Sequence, residues 1–477
     1  SDYTGISECI AHGVGDYHEV GVRALNAGLD MDMVAEAFLT QTKEGIEKGE
    51  VSMKTLDRAC RRILEAKYKL GLFDDPYKFC REEEAAKVVY SDENRAIARR
   101  ISADSYVLLR NEGKLLPLQR KGTLAVIGPL ANTAANMPGT WSVAAQHSRT
   151  TTLVDGIKAV AGEGVNVLYA KGSNLCADYD LEMRSTMFGR ELGRDSRTDA
   201  QLLSEALSLA QKADVVIAAL GESSEMSGES SSRTDLGIPD VQKILLKALL
   251  ATGKPVVLVL FDGRPLTIQW ESENVPAILN AWFGGTEAAF SIADVLFGDV
   301  NPSGKLAMTF PKNVGQIPIY YAHKNTGRPL GDDKWFIKFR SNYLDVDNDP
   351  VYPFGYGLSY TTFSYGPVTL SKDSMRAGET LVASVDVTNT GDVAGKEVVQ
   401  MYIKDVFASA SRPVRELKGF DKVLLQPGET KTVTFGIGID ALSFYNQDMV
   451  YAAEPGEFKV YIGGDSTTQN EASFTLL

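Results

Sequence analysis

The chain has 477 residues, 44% of them hydrophobic, enough to bury several cores and to divide into two or three domains. Its formal net charge of -13 offers no Lys/Arg excess to displace phosphate counterions. That excludes nucleic acid as a partner, disfavours an anionic membrane surface and fits a neutral or cationic ligand. No apolar run approaches the roughly twenty residues of a bilayer span. Four cysteines (Cys9, Cys60, Cys80, Cys176) form no CxxC pair and read as buried thiols. Four histidines (His12, His18, His147, His323) lack the spacing of a histidine metal site.

Ser1-Asp2-Tyr3-Thr4-Gly5-Ile6 reads as the carboxyl end of a strand that runs into a helix. Asp2 there either caps the helix or is delivered to the mouth of a site as nucleophile, ligand or hydrogen-bond acceptor. A strand so near the first residue reads as the C-terminal part of a larger enzyme. Val20 to Leu25 leads into Ala27-Gly28-Leu29-Asp30-Met31-Asp32-Met33, expected as a short buried strand ending in carboxylates. Ser52 is placed to cap a helix with its apolar face at Leu56, Cys60, Ile63 and Tyr68 or Leu70, closed by Gly71. One and a half βα units cannot close a parallel sheet, so residues 1–85 read as the C-terminal end of a (β/α)8 barrel.

Residues 86–315 alternate between strand and helix. Strands are expected at Leu124 to Ile127, Val165 to Tyr169, Val215 to Leu220, Val256 to Leu260 and Ala277 to Trp282. Their near-continuous apolar runs suit strands buried on both faces, and helices such as Ala200 to Lys212 and Val241 to Ala251 separate them. The result is an α/β sandwich with a mostly parallel sheet, a fold that places ligands at the carboxyl ends of its strands. The first strand leads to Gly128-Pro129-Leu130, with no GxGxxG to cradle a pyrophosphate, which disfavours a nucleotide site.

The third strand exits into a long Gly/Ser loop over residues 221–235, carrying Glu222, Glu225 and Glu229 with Met226 as its only apolar anchor. Composition alone reads it as a solvated loop; its place at a strand's carboxyl end reads it as functional. Residues 316–367 form a Tyr- and Gly-rich connector in which Asp345, Asp347 and Asp349 either hold calcium or form a solvated turn. Residues 368–477 show short alternating strands (Leu381 to Val387, Val398 to Ile403, Thr430 to Ile437, Glu457 to Ile462) around turns at Asn389-Thr390-Gly391-Asp392, Pro427-Gly428 and Pro455-Gly456. This describes a fibronectin III-like β-sandwich.

Two carboxylates from different domains make chemical sense together. Retaining glycoside hydrolysis needs a nucleophilic carboxylate and a carboxylic acid about 5–5.5 Å apart, one ionised and one protonated. A rigid strand end and a loop provide two such different environments.

Ser1-Asp2-Tyr3, residues 27–33, Gly71-Leu72-Phe73, Arg233-Thr234-Asp235-Leu236-Gly237-Ile238-Pro239, residues 298–306 and residues 352–360 together resemble family 3 glycoside hydrolases, notably their periplasmic bacterial members. The resemblance implies an exo-acting β-glycosidase that uses a retaining double displacement. A β-glucosidase is the favoured activity and a β-xylosidase the runner-up. It casts Asp2 as the nucleophile and Glu229 as the acid/base, with Glu225, Glu222 and Glu8 as rivals for that role. It places Tyr3 and Trp141 around the leaving-group sugar and Met226 beside the substrate; a plain core role for Trp141 stays open. It implies no cofactor, an oligosaccharide or aryl β-glucoside as substrate, a homodimer as an allowed assembly, and a periplasmic or secreted location. The family's sugar-gripping residues lie in barrel strands before the nucleophile, and this sequence does not contain them. The chain alone is therefore expected to be inactive without a companion N-terminal barrel segment. A non-catalytic carbohydrate-binding or scaffolding module is the alternative.

Overall fold

The computed structural model describes residues 1–186, 192–331 and 335–477. They form two compact units, Ser1–Asn94 and Arg95–Leu477.

The first unit is built of helices α1 (Gly5–Ala11), α2 (Tyr17–Ala27), α3 (Ala37–Glu47), α4 (Met53–Lys69) and α5 (Glu82–Val88). Ser52 caps α4 by accepting from Thr55 N, as the sequence predicts, and Gly71 follows with a positive φ of 75°. Val20 to Leu25 lies inside α2, which Asp16 and Glu19 start with a reciprocal capping box. The segment after α2 is no buried strand. Its only pairing among the described residues is a parallel bridge between Met33 and Tyr3, with Thr4 N donating to Met33 O at 3.0 Å. A parallel strand needs neighbours on both sides to be buried, and Met31 and Met33 stand exposed. The expectation of four buried thiols also fails. Cys176 is buried, but Cys60 and Cys80 are exposed, on α4 and in an irregular stretch respectively.

In the second unit, helix α6 (Asp92–Ser105) leads into a six-stranded sheet. Its strands are β1 (Val107–Asn111), β2 (Gly122–Ile127), β3 (Val165–Ala170), β4 (Val215–Gly221), β5 (Val256–Phe261) and β6 (Ala277–Asn280), in the order β1-β6-β5-β4-β2-β3. All neighbours run parallel except β1, which is antiparallel to β6. Alternation along each strand feeds two cores. Val257 and Val259 pack toward α7 (Leu153–Ala161) and, past the short helices and strands between, α12 (Ala288–Phe297). Val256, Leu258 and Leu260 face the other way, toward α9 (Asp199–Lys212) and α10 (Asp240–Ala251). Helices α8 (Tyr179–Arg184) and α11 (Gln269–Asn274) complete the connections. The edge strand β1 is not exposed to pairing from outside. Leu358 forms an antiparallel bridge to Leu108, and the Tyr-rich run beside it is tied to Leu306 and Phe310.

The remaining strands form a sandwich: β7 (Phe363–Tyr365), β8 (Thr369–Leu370), β9 (Ser374–Met375), β10 (Leu381–Asn389), β11 (Gly395–Asp405), β12 (Glu416–Leu425), β13 (Thr430–Ile437), the hairpin β14 (Phe444–Tyr445) and β15 (Tyr451–Ala452), β16 (Gly456–Gly463) and β17 (Glu471–Leu476). One sheet runs β13-β10-β7 with β8 also on β10, the other β12-β11-β16-β17-β9. In β10 the residues Leu381, Ala383, Val385 and Val387 alternate inward and carry the core between the sheets. The sandwich is fastened to the α/β part by polar contacts. Lys396 Nζ reaches Asp104 at 2.7 Å and Lys305 Nζ reaches Glu397 at 3.3 Å. Asn301 is the hub: its Nδ2 donates to Ala394 O at 2.9 Å, and its Oδ1 accepts from Ser359 Oγ and Tyr360 N, both at 2.8 Å.

Asn301→Ala strands three partly buried partners at once, and each lost hydrogen bond is worth about 1 kcal/mol. We expect a stability loss of roughly 2–3 kcal/mol in urea unfolding. A loss below about 0.5 kcal/mol would show that the sandwich is held by other contacts.

Candidate active site

The loop that leaves β4 begins at a position only glycine can fill. Gly221 has φ 130°, and a Cβ there would sit 2.0 Å from Phe261 O. Gln242 of α10, fully buried, accepts from Gly221 N at 2.9 Å and donates to Gly221 O at 3.0 Å and Leu175 O at 2.9 Å. Glu222 N continues the ladder to Phe261 O at 2.8 Å. Ser223 Oγ then donates to Ser185 O, and Ser224 N to Asn136 Oδ1 at 2.7 Å. A single 3-10 turn, Ser224–Ser227, follows. The first half of the loop is thus buried, contrary to the solvated reading, because side-chain and backbone partners replace water at most of its polar groups.

Glu222 is fully buried and ion-paired to two arginines: Arg233 Nη1 at 2.7 Å and Arg264 Nε at 3.3 Å. Both arginines also bind loop backbone. Arg233 Nη2 donates to Gly237 O at 3.0 Å, while Arg264 Nη2 donates to Met226 O and, at 2.7 Å, to Ser231 O. Beside them lies Asp262, fully buried at the end of β5, with no hydrogen-bond partner on either carboxyl oxygen. Burial first, and the Glu222 charge second, push its pKa well above the ordinary carboxylate value; the Asn280 amide opposes the rise. Asp262 thus favours its protonated form more than a solvent-exposed aspartate does.

The sequence-predicted residues fall out differently along this frame. Glu229 is exposed, on a turn in which Ser231 N donates to Gly228 O and Ser230 takes φ 57°. Glu225 is half-buried and accepts from Thr140 Oγ1 at 2.9 Å. Gly228 presses on the same threonine, where a Cβ would stand 2.8 Å from Thr140 Oγ1. The Glu229 loop is thereby brought against the segment that carries Trp141, and Trp141 is 76% exposed rather than part of a core. Met226, expected beside substrate, is 3% exposed and packs among the core residues of the α7 and α12 side of the sheet. The structure gives it an anchoring role. Glu222 is likewise committed to its two arginines.

In the first unit, Asp2 does not cap α1. The N-cap is Thr4, and Asp2 Oδ1 accepts from Tyr3 N at 2.7 Å, leaving the carboxylate exposed. Tyr3 is 60% exposed. Glu8 sits on α1, where Thr4 Oγ1 donates to it at 3.0 Å. In the connector, Asp347 is occupied by Lys312 Nζ at 2.5 Å. Among the described residues no group of three or more His, Cys, Asp or Glu is placed to hold a metal ion.

Residues 106–360, more than half of the chain, match the Glycosyl hydrolase family 3 C-terminal domain. The chain belongs to glycosyl hydrolase family 3. Residues 1–66 match the N terminal domain of family 3, and residues 397–466 a Fibronectin type III-like domain. The Periplasmic beta-glucosidase of Salmonella typhimurium is 48% identical over 100% of this chain and 63% of its own length. A Beta-xylosidase of Formosa agariphila is 40% identical over 96% of this chain and 61% of its own length. The beta-glucosidase of Listeria innocua, solved with isofagomine, superposes with a TM-score of 0.90 at 38% identity, covering 100% of this chain and 63% of that one. The same enzyme has been solved with glucose, and a mutant of it with laminaribiose. The chain thus spans a little under two thirds of these family 3 proteins. Its fold is theirs: the end of a (β/α) barrel, an α/β sandwich with a mostly parallel sheet, and a fibronectin III-like sandwich.

Sequence reasoning passed over Arg264, Asp262 and Gln242. Asp262-Gly263-Arg264-Pro265 follows an all-apolar strand directly, and charge at that point is the feature that marks a strand's carboxyl end as a site. Because the folded pKa of Asp262 lies above its unfolded value, its protonated form supports the fold fully below about pH 3.9, and that support is lost as pH climbs to the folded pKa. Asp262→Asn, which cannot ionise, is expected to gain stability relative to the parent as pH rises from about 4 to about 8, read as a growing difference in Tm. A difference that stays constant across that range would mean Asp262 is ionised in the fold without cost.

Proposed function

We propose that this chain carries both catalytic carboxylates of an exo-acting, retaining β-glycosidase that removes terminal β-D-glucosyl residues from oligosaccharides or aryl β-glucosides. The observation that carries the reading is Glu229, an exposed carboxylate on a turn held by a buried ion cluster at the carboxyl end of the sheet, in a chain of family 3. Asp2 attacks the anomeric carbon and forms a glycosyl ester as Glu229 protonates the departing glycosidic oxygen. Glu229 then takes a proton from water, whose oxygen attacks the anomeric carbon and releases Asp2. Tyr3 and Trp141, both exposed, offer faces for the leaving-group sugar. The division into a barrel end at 1–85, an α/β domain at 86–315, a connector at 316–367 and a sandwich at 368–477 belongs to the same reading.

The substrate follows the β-glucosidase relatives, and the Formosa relative named a β-xylosidase makes β-xylosides the second choice. Activity requires a companion N-terminal barrel segment, since the relatives extend well beyond the span matched and Met31, Met33 and Tyr3 lie exposed beside a single bridge. The periplasm or the exterior is the compartment proposed, from the Salmonella relative. Among the described residues, no helix is long and apolar enough to cross a membrane.

The test is hydrolysis of aryl β-glucoside and β-xyloside by the natural protein that contains this chain, with and without azide. Asp2→Ala is expected to abolish turnover. Glu229→Ala is expected to lose roughly 10²–10⁴-fold, partly restored by azide as a glycosyl azide forms. Full activity in Glu229→Ala with loss in Glu225→Ala or Glu8→Ala would move the acid/base. Indifference to all of these would leave a carbohydrate-binding scaffold. A turnover-competent isolated 477-residue chain would overturn the need for a companion segment.

A further inference from the structure

We propose that Arg264 is a positioning residue for the acid/base, fixing the reach of the Glu229 turn from a buried anchor on Glu222. The inference rests on the reading of Glu229 as acid/base and adds to it a residue that does not touch substrate.

The geometry is specific. The guanidinium donates to two carbonyls, Met226 O and Ser231 O, which bracket Glu229 in sequence. A third contact, Nε to Glu222 Oε1 at 3.3 Å, holds the same guanidinium from below. Glu222 is committed to this anchorage, being buried, ion-paired to Arg233 as well, and tied to the end of β5 by its own N–H, which donates to Phe261 O. The rigid fork of arginine lets it hold two loop carbonyls through Nη2 while keeping its ion pair with Glu222, which the flexible point charge of a lysine does less well. Its backbone is fixed too. A Cβ on the neighbouring Gly263 would stand 2.2 Å from Ser227 Oγ, so the chain that bears Arg264 runs in contact with the turn it clamps.

The balance of charge supports a purpose beyond packing. Arg233 and Arg264 both pair with Glu222, while the adjacent buried Asp262 has no hydrogen-bond partner. Both guanidiniums also donate to carbonyl oxygens of the loop, which stiffens the turn. A proton donor must lie within about 2.6–3.2 Å of the glycosidic oxygen. A 1 Å displacement costs roughly 10²-fold in rate, so the clamp is placed where it has leverage.

Acid assistance matters for poor leaving groups and hardly for good ones, which separates positioning from general damage. In the natural protein that contains this chain, Arg264→Met is expected to lower kcat/KM roughly 10²-fold on a phenyl β-glucoside and no more than about threefold on a 2,4-dinitrophenyl β-glucoside. Arg264→Lys should fall on the same side, with only partial recovery. Since Arg264→Met leaves Glu222 with one cation, Glu222→Gln/Arg264→Met is run beside it. The double variant should regain thermal stability while keeping the leaving-group signature. Glu229→Ala is measured in parallel. If it shows no leaving-group dependence, the acid/base reading itself fails. If it shows the dependence and the Arg264 variants lose equally on both substrates, or lose nothing, the positioning role is overturned.

Discussion

Removing a carboxylate from water costs several kcal/mol unless cations and donors travel with it, and Glu222 is the point where this chain meets that requirement. Its position is dictated by the sheet. The strand before it is apolar throughout, and Gly221 turns the backbone so closely over Phe261 O that Glu222 has no route to solvent. Arg233 and Arg264 must therefore come to it, and in doing so they bring both ends of the loop with them. Gln242 of α10 satisfies the N–H and the C=O of Gly221. The loop's conformation follows from neutralising one buried charge.

A second set of polar contacts carries the same logic to the sandwich. Asn301, Asp104 and Glu397 each link elements far apart in sequence, and each lies where apolar layers meet rather than within them. Apolar cores on either side supply most of the burial energy, roughly 1.5–3 kcal/mol for each large side chain, but they do not specify orientation. Directional hydrogen bonds do. The Tyr-rich run between the two parts adds to this by bridging to Leu108 along the edge of the sheet, so that it serves as a strap rather than a free linker.

Much of this was legible from residues alone. Continuous apolar runs such as Val256 to Leu260 marked the buried parallel strands, and the alternation of Leu381 to Val387 marked the sandwich. β1 escaped because its apolar stretch is short and ends in Arg110 and Asn111. The strand expected after Gly28 failed because apolar composition cannot show that a parallel neighbour is present on only one side. In the loop, Gly, Ser and Glu read as solvated. Nothing local says that Glu222 meets an arginine 11 residues on and another from the next strand's end. Met226 misled for the same reason: an isolated methionine in a polar loop is as apt to pin the loop to the core as to face a ligand. Asp2 and Trp141 were ambiguous in sequence, and in the fold neither capping nor core packing claims them.

The clamp also divides the loop into parts with different freedom to change. Residues 222–227 are committed to the sheet, Ser231 to Arg264, and residues 233–237 to Arg233 and the entrance of α10, whereas residues 228–230 span the gap between fixed points. The entropic cost of lengthening a closed loop rises only with the logarithm of its size. Additions at the tip therefore leave the sheet, the ion cluster and the helix entrance intact. A scaffold of this kind lets the outer rim diversify, admitting bulkier or differently linked sugars, while the fold beneath it stays under a separate and much stricter constraint.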